Sequence, residues 1–193
     1  MKSCLSCVIC FQVLLFSAAS AADYGRFVGT VKTEWGGDGR HMTLLEPFRY
    51  IDPAQHEWLA PAGSIVDGAS IPQFAWSIIG GPFEGKYRDA SVIHDVACQQ
   101  KIRPWADVHL AFYYAMLANR VESWKAKTMY AAVYHFGPRW KSSNETIVEP
   151  RRLRQEDFNQ LKNEIKRREE QGRSMTTPSP AMTLNEIEQW RNR

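Results

Sequence analysis

The sequence predicts an α+β fold, with strands first and helices after them. Three observations carry this reading. Residues 26–60 are rich in Val, Thr, Phe, Tyr and Trp and are interrupted by clusters of Gly, Pro and Asp, the pattern of short strands joined by turns. From Tyr87 onward, apolar residues recur at helical spacing, with Pro104 and Gly137-Pro138 as punctuation. Beyond Trp140 the composition swings to Arg, Glu, Lys and Gln. The order of strand-like and helix-like runs is that of an α+β chain rather than of alternating βαβ units.

Size and charge bound the answer further. The 193 residues are 44% hydrophobic, 12% aromatic and 23% charged, which fits one compact domain with an appendage. The net charge of +3 is too small for a polybasic nucleic-acid binder, so no nucleic-acid partner is expected. The body of the chain holds no apolar run of about 18 residues or more, so no stable membrane span is expected there.

Element by element, residues 1–22 read as a signal peptide. Lys2 is a short positive n-region, Cys7–Phe16 an apolar h-region, and Ala19-Ser20-Ala21 a small-x-small cleavage pattern. Cys4, Cys7 and Cys10 lie too early to be lipidated, and cleavage leaves Cys98 as the one remaining thiol, without an internal disulfide. The expected location is exported, either periplasmic or secreted. Arg26–Glu34 and His41–Tyr50 read as strands around the turn cluster Gly36–Gly39, followed by His56–Leu59, which together make hairpins or a meander. Pro72 opens a short helical stretch over 70–81, which Gly80-Gly81 closes. Three longer helices are expected at Arg88–Gln99, Pro104–Ala118 and Ser123–Phe136. The body is thus residues 23–143. Residues 144–193 read as a charged helical tail: a thinly striped solvated helix or arm over Glu149–Arg173, a Ser/Thr/Pro-rich linker over Ser174–Met182, and a short terminal helix opened by the capping box Thr183–Glu186.

The chemistry-bearing stretch runs from Asp67 to Asp107. Asp67-Gly68 falls in a loop after a strand, His94-Asp95 sits within the apolar run SVIHDVA, and Asp107 lies one turn past Pro104. A carboxylate on an apolar helix face is costly unless something pairs with it. Neighbouring helix positions diverge by about 100°, so His94 and Asp95 serve different points. A helical hairpin would bring Asp107 opposite one of them. One reading makes His94 a general base oriented by Asp107, with Asp95 and Asp67 as hard oxygen ligands for calcium. The other makes His94-Asp95 a buried polar network that pins the helices and holds the Asp67 loop.

Residues 61–137 resemble the bacterial and phage family known only as domain-of-unknown-function family 1353. The resemblance rests on Pro61-Ala62-Gly63, Asp67 to Pro72, Trp76, His94-Asp95, Arg103, Ala106-Asp107, Phe112, Trp124, Tyr130 and Phe136-Gly137. More remotely, the order Asp67-Gly68, Pro72, Gly81-Pro82-Phe83, Ala90-Ser91, His94-Asp95, Asp107 and Tyr130–Gly137 is similar to microbial secreted phospholipase A2. That second resemblance implies a three-helix phospholipase-like core. In it His94 would be the general base and Asp107 its orienting partner. Asp67, the Gly68 carbonyl and Asp95 would bind calcium, which would stabilise an ester oxyanion.

Two functions therefore stand open. One is an exported hydrolase with a His94–Asp107 dyad and calcium, acting on an ester or amide in the envelope or outside. The other is a non-catalytic envelope or phage-type accessory protein in which the motif is structural. His41, His56, His109 and His135 read as surface or packing residues, and Cys98 as an inert buried thiol. Arg151, Arg152 and Arg154 read as a solvated face able to touch anionic lipid or an envelope polymer. The leader pattern makes a direct prediction. Intact-mass analysis of the protein from the envelope fraction of its host should show a chain starting at Ala22 or Asp23; an intact Met1 there would overturn it.

Overall fold

The computed structural model describes residues 23–68, 70–79, 85–141, 152–173 and 181–190. Residues 1–22, read above as a signal peptide, lie outside them, as do Ala69, Gly80–Glu84, residues 142–151 and most of the Ser/Thr/Pro-rich linker. Six short strands come first: β1 (Arg26–Val28), β2 (Thr33–Trp35), β3 (Met42–Leu44), β4 (Phe48–Ile51), β5 (Glu57–Ala60) and β6 (Ile65–Val66). The helices follow as α1 (Gln73–Ile79), α2 (Arg88–Gln100), α3 (Trp105–Ala118), α4 (Ser123–Phe136), α5 (Gln155–Gly172) and α6 (Leu184–Glu188).

The strands form two antiparallel three-stranded sheets, ordered β1-β4-β5 and β2-β3-β6. A simple meander is therefore not what forms. β1 skips over β2 and β3 to pair with β4, placing Phe27 opposite Tyr50. The stretch 41–50, read as one strand, is divided between the sheets. Pro47 between its halves has no N–H to give to a ladder, which favours a break there. The Gly36–Gly39 cluster does form the β2–β3 turn, closed by Gly36 N–H to the His41 carbonyl at 2.8 Å. Alternation along β4 and β5 turns Phe48, Tyr50, Trp58 and Ala60 inward and Arg49, Glu57 and Leu59 outward, so one face of this sheet meets the helices.

α2 lies against β4, β5 and β6, α3 packs on α2, and α4 packs on α3. The boundaries follow local chemistry. Pro104 stands just ahead of α3, where a missing N–H costs nothing. Lys101 ends α2 in the left-handed conformation at φ 53°. α2 has nine consecutive buried residues, Ala90 to Cys98. Such a run is surrounded on every side, and that is why its polar members need internal partners. Among the described residues no helix is long and apolar enough to cross a membrane.

The C-terminal region departs from a solvated arm. Phe158, Leu161 and Ile165 of α5 are all buried, and Phe158 makes edge contacts with Phe74 and Phe136 at 5.1 and 5.7 Å between ring centres. Lys127 of α4 reaches Glu169 at 2.5 Å, with both side chains largely covered. Tyr130 Oη donates to Glu188 at 2.6 Å, and His135 Nε2 donates to the Ile187 carbonyl at 2.9 Å. Of the basic residues, Arg152 donates to the His135 and Gly137 carbonyls at the end of α4, and Arg154 pairs with Asp157 and Glu156 while its side chain stays exposed; Arg151 lies outside the described residues. A stripe of only a few apolar residues suffices because it meets aromatic rings already standing on α1 and α4. Phe158→Ala should therefore lower stability by about 3–5 kcal/mol, the usual cost of emptying a phenyl site in a core, as read by denaturant unfolding. A loss below about 1 kcal/mol would return α5 to the status of a solvated appendage.

Candidate functional site

The motif residues of α2 are drawn into the interior. His94 is 1% exposed, Asp95 2% and Cys98 4%. Each faces a different or partly shared neighbourhood set by helical geometry: His94 and Asp95 diverge by about 100°, whereas His94 and Cys98, four residues apart, share a face.

Asp95 faces the loop between β6 and α1. Its Oδ2 accepts the backbone N–H groups of Asp67 at 2.9 Å and Gly68 at 3.2 Å, and its Oδ1 accepts that of Ser70 at 3.4 Å. One carboxylate thus gathers the N–H groups of a turn. The turn is possible because Gly68 takes φ +70°, a conformation that side chains rarely accept. The loop closes further through Ile71 N–H to the Gly68 carbonyl at 3.1 Å. The buried negative charge is compensated by converging N–H dipoles, the arrangement of an anion nest.

Asp67 contributes its backbone to this nest and turns its side chain elsewhere. Its Oδ2 lies 3.4 Å from Arg40 and 3.8 Å from His41 Nε2, in the β2–β3 turn where His41 also bonds Asp38. The carboxylates of Asp67 and Asp95 are consequently committed to different partners. Both Asp95 oxygens face N–H donors, so a calcium ion at those oxygens would have to displace hydrogen bonds that already satisfy them.

His94 meets His109, not Asp107. His94 Nε2 lies 2.9 Å from His109 Nδ1 and 3.6 Å from Cys98 Sγ, and its ring packs on Phe112 at 4.5 Å between centres. His109 is 0% exposed, and its Nε2 donates to the Pro138 carbonyl at 3.2 Å. The expected His94–Asp107 pair is thereby corrected. Asp107 and His109 are two residues apart on α3 and diverge by about 200°, so the helix that turns His109 inward turns Asp107 out. Asp107 is exposed in the first turn of α3, where a negative charge complements the helix dipole. Burial holds His94 well below the usual imidazole range and His109 down to about 3, so both rings are neutral. Burial likewise pushes the Cys98 thiol up to about 12, against a hydrogen bond from the Ser70 side chain that acts the other way.

A rim of residues after α4 closes this region. Trp105 packs on His109 and Tyr134 at 5.5 and 5.2 Å between ring centres, and the Arg139 guanidinium lies 4.6 Å over the Trp105 ring. Trp140 Nε1 donates to the Arg103 carbonyl at 2.9 Å. An open cleft does exist nearby, of about 200 Å³, lined by Trp58, Leu59, Ile93, Ala97, Ile102 and Arg103 among others. His94, Asp95, Asp107 and Cys98 are not part of its lining.

Two residues of the cluster, Cys98 and His109, escape the reading of the sequence as chemical groups. The His94–Cys98 spacing of four was a usable signal. His109 depends on how the α2–α3 hairpin folds, and spacing along the chain does not report that.

Residues 42–133 match the model of a family described as protein of unknown function (DUF1353). Among curated proteins, the uncharacterized protein y4jT of Sinorhizobium fredii is 46% identical over 143 residues, covering 71% of this chain and 43% of that protein. The uncharacterized protein y4iH of the same organism is 42% identical over 104 residues, covering 54% of this chain and 44% of that protein. The chain thus spans less than half the length of either relative. No solved structure matches it.

The Asp95 nest makes a stability prediction. Asp95→Ala leaves several buried N–H groups without an acceptor, at about 1–3 kcal/mol each. It should cost about 3 kcal/mol or more in denaturant unfolding, with Asp95→Asn between it and the unaltered chain because one acceptor oxygen remains. Equal stability of all three proteins would show that the nest is not a structural clamp.

Proposed function

We propose that the protein is an exported, non-catalytic accessory module of the cell envelope or of a phage-type assembly, and that His94-Asp95 serves its fold. The observation that carries this reading is the engagement of both residues. His94 is sealed between His109, Cys98 and Phe112, and Asp95 is occupied by the loop at Asp67–Ser70. A general base needs a nitrogen that reaches the substrate's proton directly or through one water, and a 1% exposed ring offers no such approach. The cleft beside β5 and α2 is lined by apolar Trp58, Leu59, Ile93 and Ile102 together with Glu57 and Arg103, and Ile102 is 80% exposed. Such a surface suits contact with a partner better than proton transfer. Export is supported by the n-region, h-region and small-residue pattern of residues 1–22.

The competing proposal, a calcium-assisted hydrolase akin to secreted phospholipase A2, requires His94 and Asp107 to act together. Because Asp107 is exposed, it can be removed without disturbing the core. Asp107→Ala should fold, losing no more than the roughly 0.3–1 kcal/mol that a first-turn carboxylate contributes through the helix dipole. Neither it nor the unaltered chain should hydrolyse phospholipid or small-ester substrates, and calcium should not shift the melting temperature of either. Calcium-dependent turnover in the unaltered chain that falls by about 10²-fold or more in Asp107→Ala would overturn the accessory reading and restore the dyad.

A further inference from the structure

We propose that His94 Nε2, Cys98 Sγ and His109 Nδ1 form a buried site for one zinc-class transition-metal ion that staples α2 to α3. The three ligand atoms all lie within 4.8 Å of one another. Two come from one face of α2 at a spacing of four residues, and the third comes from the facing helix. The proposal goes beyond the accessory reading and does not depend on it.

The geometry is close to that of a tetrahedral site. Metal–nitrogen bonds of about 2.0–2.1 Å and a metal–sulfur bond of about 2.3 Å place a nitrogen and a sulfur roughly 3.6 Å apart and two nitrogens roughly 3.3 Å apart. The His94–Cys98 separation is 3.6 Å and the His94–His109 separation 2.9 Å. The rings need to part by only about 0.4 Å to admit an ion at these bond lengths.

The hydrogen bonds around the cluster present the right atoms. The Pro138 carbonyl accepts from His109 Nε2, so the proton of that neutral ring sits on Nε2 and Nδ1 carries a lone pair. Ligating histidines typically have their second nitrogen tied in this way, often to a backbone carbonyl. The lone pair points at His94 Nε2. Without an ion, His94 Nε2–H donates to it. With an ion, the His94 proton shifts to Nδ1, which has no hydrogen-bond partner among the described residues. The Cys98 proton leaves to solvent, and the thiolate, two imidazoles and the divalent ion together carry one positive charge. The Ser70 side chain, already hydrogen-bonded to the Cys98 sulfur, would support the thiolate. Neutral imidazoles are what coordination requires, and burial keeps both rings neutral. Nitrogen and thiolate donors select zinc and its neighbours over calcium or magnesium, which prefer oxygen. Three protein donors fill three corners of a tetrahedron and leave the fourth to a water molecule; at 0–4% exposure of the donors it is burial that keeps substrate out and assigns the site to the architecture.

Because the site is buried, the ion must enter as the chain folds. The test therefore uses the full chain with Cys4→Ser, Cys7→Ser and Cys10→Ser, so that Cys98 is the sole thiol. Refolded with zinc and dialysed, it should retain about one equivalent by elemental analysis. Cys98→Ser and His109→Gln should each retain less than about a tenth of that, and Asp107→Ala should retain the full amount. Refolded with cobalt(II), the chain should show the near-ultraviolet thiolate-to-cobalt absorption. This readout holds even if the Cys98 or His109 variants fail to fold. Absence of both retained zinc and the cobalt–thiolate absorption in folded protein would overturn the proposal, and so would full retention of zinc in a folded Cys98→Ser variant.

Discussion

The carboxylate of Asp95 is the point on which the two halves of the structure depend. It is carried by a helix whose central residues are all buried, and its charge has no route to water. Backbone N–H groups of Asp67, Gly68 and Ser70 supply the compensation. The arrangement works in both directions. The loop satisfies the carboxylate, and the carboxylate dictates the loop, since three N–H groups converge on one side chain only when Gly68 adopts its left-handed conformation. That loop leads from β6 into α1. A single side chain therefore sets how the strand-rich half joins the helical half.

The same helix secures its other neighbours by equally specific means. One turn along the face carrying His94 stands Cys98, its sulfur 3.6 Å from His94 Nε2, and His94 itself meets His109 across the α2–α3 hairpin. At the far end of the hairpin Asn119 donates to Asp89 at 3.1 Å, closing α3 against the start of α2. Aromatic packing then carries the order outward, from Trp105 and Tyr134 to the Arg139 cation above them. α4 in turn becomes the platform on which α5 and α6 dock. A polar seam in a well-packed core tolerates few alternative packings, because each alternative strands a donor or an acceptor.

Much of the fold was legible along the chain because its causes are local. Helical spacing, Pro104 and the Gly137-Pro138 stop mark α2, α3 and α4 to within a residue or so. The Thr183 capping box forms as its residues suggest, and Gly36–Gly39 makes the expected turn. The pairing of β1 with β4 and the division of residues 41–50 between two sheets depend on contacts distant in sequence. Alternation alone does not encode which strand becomes the neighbour. The docking of α5 was hidden for a related reason: a thin stripe such as Phe158, Leu161 and Ile165 is ambiguous until the rings of Phe74 and Phe136 are in place to receive it.

For the site, the residues themselves determined that His94 and Asp95 must have partners, because polar groups within an apolar helix cannot go unsatisfied. They also determined that the two would serve different partners, since adjacent helix positions point apart. Only the tertiary structure decided which partners these are. The rotation of α3 about its own axis turns His109 inward and Asp107 outward, and the course of the loop brings backbone amides to Asp95. That rotation is set by the packing of Val108, Phe112 and Trp105 against the surrounding helices, a sum of many small contacts that no motif of a few residues contains.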